Sequence, residues 1–401
     1  MTNSKRWGRL VAGTLMLLFL GLIYGWSIFK APFNAIFPSW SIGQISLTFT
    51  ISMVFFCLAG FVAGQIVKKI GPKMVVWISA ILLVIGFVGV SFLNVENPST
   101  SLKMLYVMYG VFCGSGVGMA YNVIVSVVNS WFADKSGLAS GIIMMGFGLG
   151  GIVLGGGAIT IVGQIGVLET FKILGIGIGI VLFIGGFFMK LPEPGEAPTK
   201  AIANGDTAME DVPPKEVLKN VGFWIFMVWA VLLNSAGLLV FSSAASIAVA
   251  FGAPATVGLI VSLCNGCGRV IMGALFDKIG RKPTLIIDSL ILILSGGFLF
   301  LGATTSSMVF IIIGLVLVGV AYSGGPTLTA SFLLATFGPK YFPMNLSLGI
   351  FSLIPAAIAG PMISAKLLTA SGGDYTSTFI LIIGLGIGAM VASLIVNKIS
   401  K

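Results

Sequence analysis

Apolar stretches long enough to cross a bilayer recur along this chain between short polar breaks. They lie near 10–29, 43–67, 74–93, 104–130, 137–163 and 169–189, and again near 221–246, 254–276, 284–302, 308–333, 345–369 and 376–397. A membrane core takes about 20 helical residues to cross, so the pattern predicts twelve spans in two sets of six. Between the sets, 190–220 holds Pro192, Pro194, Pro198, Pro213, Pro214 and six acids. It reads as a solvated linker that ends in a short surface helix over Lys215–Lys219. The expected organisation is an all-α membrane protein with a six-helix bundle over 1–189, a linker over 190–220 and a second six-helix bundle over 221–401.

Composition removes the competing classes. Of 401 residues, 57% are hydrophobic and 8% charged, against about 25% charged in soluble proteins, so a soluble fold is excluded. With no His there is no imidazole metal ligand, triad base or His relay; neither an enzyme nor a metal or other cofactor is expected. Cys264-Asn-Gly-Cys267 has the spacing of a redox or metal pair, but it lies mid-helix without a second ligand pair. The net charge of +10 is scattered over short loops, which is not a nucleic-acid footprint. Lys5, Arg6 and Arg9 precede an apolar run that reaches Phe29 without a small-residue cleavage site, so this run is the first span and not a signal peptide.

Lysine and arginine set the orientation. Lys5, Arg6, Arg9, Lys68, Lys69, Lys73, Lys135, the linker lysines, Lys278, Arg281, Lys282, Lys340, Lys398 and Lys401 fall on one side, seventeen against four (Lys30, Lys103, Lys172 and Lys366) on the other. Both termini and the linker are therefore expected in the cytoplasm, with the chain, as a monomer, in the cell (inner) membrane.

The halves echo each other. Gly64-Gln-Ile-Val-Lys-Lys-Ile-Gly71-Pro-Lys73 returns 209 residues on as Gly273-Ala-Leu-Phe-Asp277-Lys278-Ile-Gly280-Arg281-Lys282, and Val117-Gly-Met-Ala-Tyr121 returns as Val318-Gly-Val-Ala-Tyr322. Two echoes point to a duplicated six-helix unit of the kind transporters use. The GxxxDKxGRK pattern resembles the signature of the major facilitator superfamily; the first copy has Lys68 where that family has Asp. The resemblance implies the major facilitator fold. Gly64, Gly71 and Lys73, with Gly273, Asp277, Gly280 and Arg281, would form its gating turns.

Inside the membrane, charge is scarce and needs a reason. Arg269 lies deep in the eighth span and is a fixed cation, because arginine keeps its proton. The embedded acid is Asp288, about 7–8 Å into the ninth span, where Arg281 or Lys282 can hold it. An Arg269–Asp288 pair is one reading; an Arg269 that awaits an anionic ligand is the one adopted. Asn265 stands four residues earlier on the same helical face and suits a polar substituent beside a carboxylate. Tyr24, Tyr121 and Tyr322 offer phenol donors at mid-span, and Trp26 is a pocket wall or a packing residue. Asp288 is the candidate for proton coupling. Gly146-Phe-Gly-Leu-Gly150-Gly151-Ile-Val-Leu-Gly155 lacks the Lys-Ser/Thr of a phosphate loop and reads as close helix packing.

These residues resemble one branch of the superfamily, the oxalate/formate antiporters, and more distantly the monocarboxylate transporters. The resemblance rests on Tyr24-Gly-Trp26-Ser27, Trp131-Phe-Ala-Asp-Lys135-Ser-Gly-Leu-Ala-Ser-Gly141, Leu218 to Phe223-Trp224, and Asn265-Gly-Cys-Gly-Arg269. It implies that Arg269 occupies the position of the family's substrate-binding arginine. It also implies a second cation in the eleventh span for oxalate, where this chain has Leu353. The expectation is a secondary transporter that moves small monocarboxylates of the lactate, pyruvate or formate type by alternating access. Its site would lie between the halves, and its coupling would be anion exchange or proton symport. An oxalate/formate-type dicarboxylate antiporter and a multidrug or cation exporter are the alternatives.

Overall fold

A computed structural model describes residues 2–193, 196 and 211–399. Twelve helical segments among the described residues are long and apolar enough to cross a membrane. The first six are Lys5–Gly25, Gly43–Ile70, Pro72–Val90, Pro98–Trp131, Ala133–Ile165 and Val167–Gly186. The remainder are Val221–Phe241, Thr256–Ile279, Arg281–Thr305, Met308–Phe337, Phe342–Leu368 and Thr376–Val396. No strand occurs among the described residues. In hydrocarbon each backbone amide needs a partner within its own segment, and helices are how this apolar chain meets that demand.

Local chemistry fixes the ends. Ser41 and Gln44 form a reciprocal capping box at the start of the second span, with the Gln44 amide donating to Ser41 Oγ at 3.1 Å and the Ser41 amide to Gln44 Oε1 at 2.8 Å. Asn220 accepts from the Phe223 amide at 3.1 Å to open the seventh. Gly71 and Gly280, at equivalent places in the two echoed motifs, both have φ 81°. That is a conformation L side chains resist, and it lets one helix end and the next begin within a single residue.

The linker is described only at its edges; 194–195 and 197–210 lie outside the described residues. Its last stretch makes one helical turn, Pro214–Val217, slightly earlier and shorter than the sequence predicts. The Val212 amide bonds to Phe337 O at 3.1 Å and the Lys340 amide to Asp211 Oδ1 at 3.0 Å. These bonds pin the linker exit to the turn after the tenth span.

The chain packs as two compact units: Met1–Asp134 with Gly146–Ala201, and Lys135–Met145 with Ile202–Lys401. The fifth span thus lends its opening stretch to the second unit. The first unit has an aromatic core in which Trp26 lies 4.4 Å from Tyr109 and 5.7 Å from Phe33, ring centre to ring centre, and Phe171 lies 4.8 Å from Phe29. Its first and fifth spans meet through glycine: a Cβ at Gly150 would collide with Leu18 O, and one at Gly21 with Phe147 O. The run that could be mistaken for a phosphate loop is a helix crossing.

Candidate functional site

Arg269 is 0% exposed and Asn265 2%. The i, i+4 spacing on the helix Leu259–Ile279 brings them together: Arg269 Nε donates to Asn265 Oδ1 at 2.9 Å. Nη1 donates to the Met144 carbonyl at 3.0 Å. Nη2 is buried without a hydrogen-bond partner. Among the described residues no carboxylate pairs with this guanidinium; the Arg269–Asp288 pair weighed from the sequence is not formed. Asn265 therefore has its oxygen engaged in orienting the cation, and is more tightly tied to it than a free neighbouring donor would be. The arrangement presents a fixed positive group with donors to spare.

The most specific stretch of the sequence explains how that helix is held. Gly137 and Gly141 stand one turn apart, and each takes a place no Cβ could fill. At Gly137 a Cβ would collide with the Gly273 carbonyl, and at Gly141 it would lie 2.5 Å from the Arg269 carbonyl. This is close helix packing through small residues. Asp277 completes it by accepting from the amides of Gly137 at 3.0 Å and Leu138 at 2.8 Å. These are two of the unpaired donors of a helix N-terminus, where a carboxylate is also favoured electrostatically. Arg281 turns to Thr336, with Nη1 3.2 Å from Oγ1, and lies over the Phe332 ring.

The first-unit motif is used differently. Gly64 is buried in the second span, Gly71 makes the turn, and Lys73 Nζ stands 4.3 Å from the ring centres of both Trp77 and Phe187, a cation–π contact. Lys68, in place of the acid, is exposed. An acid instead stands at Asp134, which receives Arg6 Nη1 on both oxygens at 3.0 and 3.1 Å. Arg9 covers the Trp131 ring at 4.0 Å.

The aromatic candidates divide. Tyr24 and Tyr121 each lie 5.1 Å from Phe147, edge-on or tilted, in the first unit. Tyr322 is buried with Leu238 and Ala356 in the second. Trp26 is 1% exposed and its indole donates to Ile45 O at 2.9 Å within the aromatic core, which is packing. Asp288 is fully buried with neither oxygen hydrogen-bonded. Neither Arg281 nor Lys282 reaches it, and it lies against Gly324, where a Cβ would collide with its carboxylate.

Sequence reasoning passes over several groups. Asn234 in the seventh span is buried, its oxygen unpartnered and set against Gly325; a lone amide in an apolar run was the available signal. Gly324, Thr327 and Ser331 of the tenth span and the Met144 carbonyl carry no such signal, because only helix register brings them to bear. No cluster of metal-ligating side chains occurs among the described residues.

A model of the Major Facilitator Superfamily matches residues 6–354. The oxalate:formate antiporter of Oxalobacter formigenes is 27% identical over 289 residues, 71% of this chain; the match spans 66% of that relative, just under two thirds of its length. Monocarboxylate transporter 12 of Mus musculus is 29% identical over 168 residues, 41% of this chain and 30% of its own. Among solved structures, the proton:xylose symporter XylE superimposes with a TM-score of 0.78 at 15% identity, covering 100% of this chain and 97% of that one. This likeness is one of fold.

Proposed function

Because the chain belongs to the Major Facilitator Superfamily, we propose that it is a secondary transporter of small monocarboxylates, of the lactate, pyruvate or formate type, working by alternating access. The observation that carries this reading is Arg269. A cation fully removed from solvent, held by an amide and a carbonyl but by no acid, is costly to leave uncompensated and is balanced by a bound carboxylate. Asn265 orients the guanidinium, and Tyr322, in the same unit, offers a hydroxyl donor to the substrate. Trp26 acts through packing.

Charge count supports a monovalent substrate. Arg269 is the one cation among the described residues that is fully buried. Leu353, at the position where the resemblance calls for a second cation, is a buried apolar residue at the start of its helix. The similarity to an oxalate:formate antiporter keeps the dicarboxylate as the second reading. We further assign both termini and the linker to the cytoplasm, on the excess of Lys and Arg at that end. The gating residues Gly64, Gly71, Lys73, Gly273, Asp277, Gly280 and Arg281 then line the cytoplasmic turns.

The test is uptake of labelled lactate, formate and oxalate into proteoliposomes preloaded with the same acid. Uptake of the monocarboxylates above oxalate, lost in Arg269→Gln, is the expected result. Normal uptake by Arg269→Gln would end the anion-anchor reading.

A further inference from the structure

One buried amide has no part in the anion site. Asn234, in the helix Val221–Ala250, is 1% exposed, and its Oδ1 is removed from solvent without a hydrogen-bond partner. It belongs to the same unit as Arg269. That unit therefore holds an unmet acceptor at Asn234 Oδ1 and an unmet donor at Arg269 Nη2. An amide oxygen kept dry in an apolar helix is disfavoured unless something donates to it.

The tenth span relates the two groups. A Cβ at Gly268, the residue before Arg269, would lie 2.5 Å from Ser323 Oγ, and a Cβ at Gly325 would collide with Asn234 Oδ1. At about 100° per residue, Ser323 and Gly325 stand on opposite flanks of the helix Met308–Phe337. The eighth span thus lies on one flank and the seventh on the other, and Tyr322 occupies the arc between them. Depth agrees as well. At about 1.5 Å per residue from the helix ends nearest the linker, Arg269 lies roughly 15 Å in, and Asn234 and Gly325 roughly 18–20 Å. Asp288 is outside this space: its carboxylate lies against Gly324, about 200° round the helix from Tyr322.

The rest of the arc is apolar. Leu238 follows Asn234 by one turn on the same face and is buried with Tyr322 and with Ala356 of the eleventh span. Phe241 packs against this cluster, its ring centre 5.9 Å from that of Tyr322. Such a wall suits a short alkyl group and offers nothing to a second charge. The unmet acceptor narrows the ligand further. A carboxylate oxygen and a keto oxygen only accept, and formate carries only a C–H beyond its carboxylate, so none of them can satisfy Asn234 Oδ1. A 2-hydroxy acid carries an O–H on the carbon next to the carboxylate. A site with a buried polar group of this kind rejects a ligand that leaves it unpaired.

We propose that Asn234 selects 2-hydroxy monocarboxylates. The carboxylate of the acid accepts from the Arg269 guanidinium, its 2-hydroxyl donates to Asn234 Oδ1, and its alkyl group lies on Leu238 and Ala356. The proposal rests on the monocarboxylate reading above and narrows it from small monocarboxylates in general to those with a hydroxyl on the second carbon. Arg269 supplies the attraction common to all of these anions, and Asn234 supplies the discrimination among them.

The experiment is counterflow of labelled L-lactate, and separately of labelled pyruvate, in proteoliposomes of the full-length protein. Unlabelled glycolate, pyruvate, formate and 2-methoxypropionate serve as competitors. In the wild type, lactate and glycolate are expected to compete at concentrations at least about tenfold below those needed for pyruvate or 2-methoxypropionate, which lack the O–H. Asn234→Leu is expected to bring lactate and pyruvate to within about twofold of each other, chiefly by weakening lactate. A lactate-to-pyruvate ratio unchanged in Asn234→Leu overturns the proposal. If that variant fails to insert, the wild-type series decides: pyruvate or 2-methoxypropionate competing as well as lactate overturns it. Counterflow of pyruvate without lactate overturns it too, and leaves the monocarboxylate reading standing. Absence of wild-type counterflow with lactate, pyruvate or formate is a different result: it removes the monocarboxylate reading itself, and this proposal with it.

Discussion

The two units are built from echoed sequence and bury different things. The first is filled with rings: Trp26, Phe29, Phe33, Tyr109 and Phe171 interlock at centre-to-centre distances of 4.4–6.4 Å, and no charged side chain among its described residues is fully buried. The second buries Arg269, Asp288, Asn234 and Asn265, and leaves Arg269 Nη2, both Asp288 oxygens and the Asn234 oxygen without partners. Rings stabilise a bundle through area and geometry; unpartnered polar atoms destabilise one. The first unit keeps unpartnered hydroxyls too, Thr48 Oγ1 and Tyr109 Oη among them, but among the described residues only the second buries whole charged side chains, and there the chemistry is concentrated.

The sharpest way to break that comparison is Arg269→Leu. Transport is expected to fall on the order of a thousandfold, since removing one partner of a buried charge contact costs about 2–5 kcal/mol. The melting temperature of the purified protein should hold or rise, because a well-packed apolar residue often outlasts a buried ion. A large drop in melting temperature would make Arg269 a structural residue. Trp26→Ala is the mirror experiment in the first unit. About 3–5 kcal/mol of stability should be lost, visible as lower yield and melting temperature, while KM for the acid stays within about twofold. A changed KM at unchanged stability would move Trp26 back to the pocket wall.

Two acids extend the comparison to the loops. Asp277 receives two helix amides in the second unit; Asp277→Asn keeps the shape and loses the charge, for an expected cost of about 1–2 kcal/mol in thermal unfolding. Asp134 answers Arg6 in the first unit, with side chains 16% and 26% exposed for Arg6 and Asp134. Asp134→Asn should cost no more than about 1 kcal/mol. Equal effects would mean that Arg6–Asp134 does for the first unit what Asp277 does for the second.

The fold lies open in the sequence because hydropathy alone places helices in a bilayer. The stretches near 74–93 and 376–397 differ from the observed spans Pro72–Val90 and Thr376–Val396 by only a few residues. The contact of Asn265 with Arg269 is equally legible, since i, i+4 spacing on one helix needs no tertiary information. What joins different helices is not. Nothing in Gly324 announces that Asp288 lies on it, and nothing in Met144 that its carbonyl receives Arg269, because these depend on the register between spans. Irregular backbone is hidden for the same reason: the π-helical turn Tyr106–Cys113 in the fourth span and the 3-10 turn Gly21–Gly25 in the first sit in apolar runs that read as uninterrupted helix. The Gly137–Gly141 pair falls between these cases, its spacing visible and its partner, Gly273, not.

The most direct measurement is binding of formate, lactate and oxalate to the purified protein by titration calorimetry, in the wild type and in Arg269→Gln. A single buried cation predicts that the monocarboxylates bind with one site per chain and oxalate more weakly, and that Arg269→Gln binds none of them. Equal binding of the monocarboxylates by wild type and Arg269→Gln, or oxalate bound above both, would contradict it.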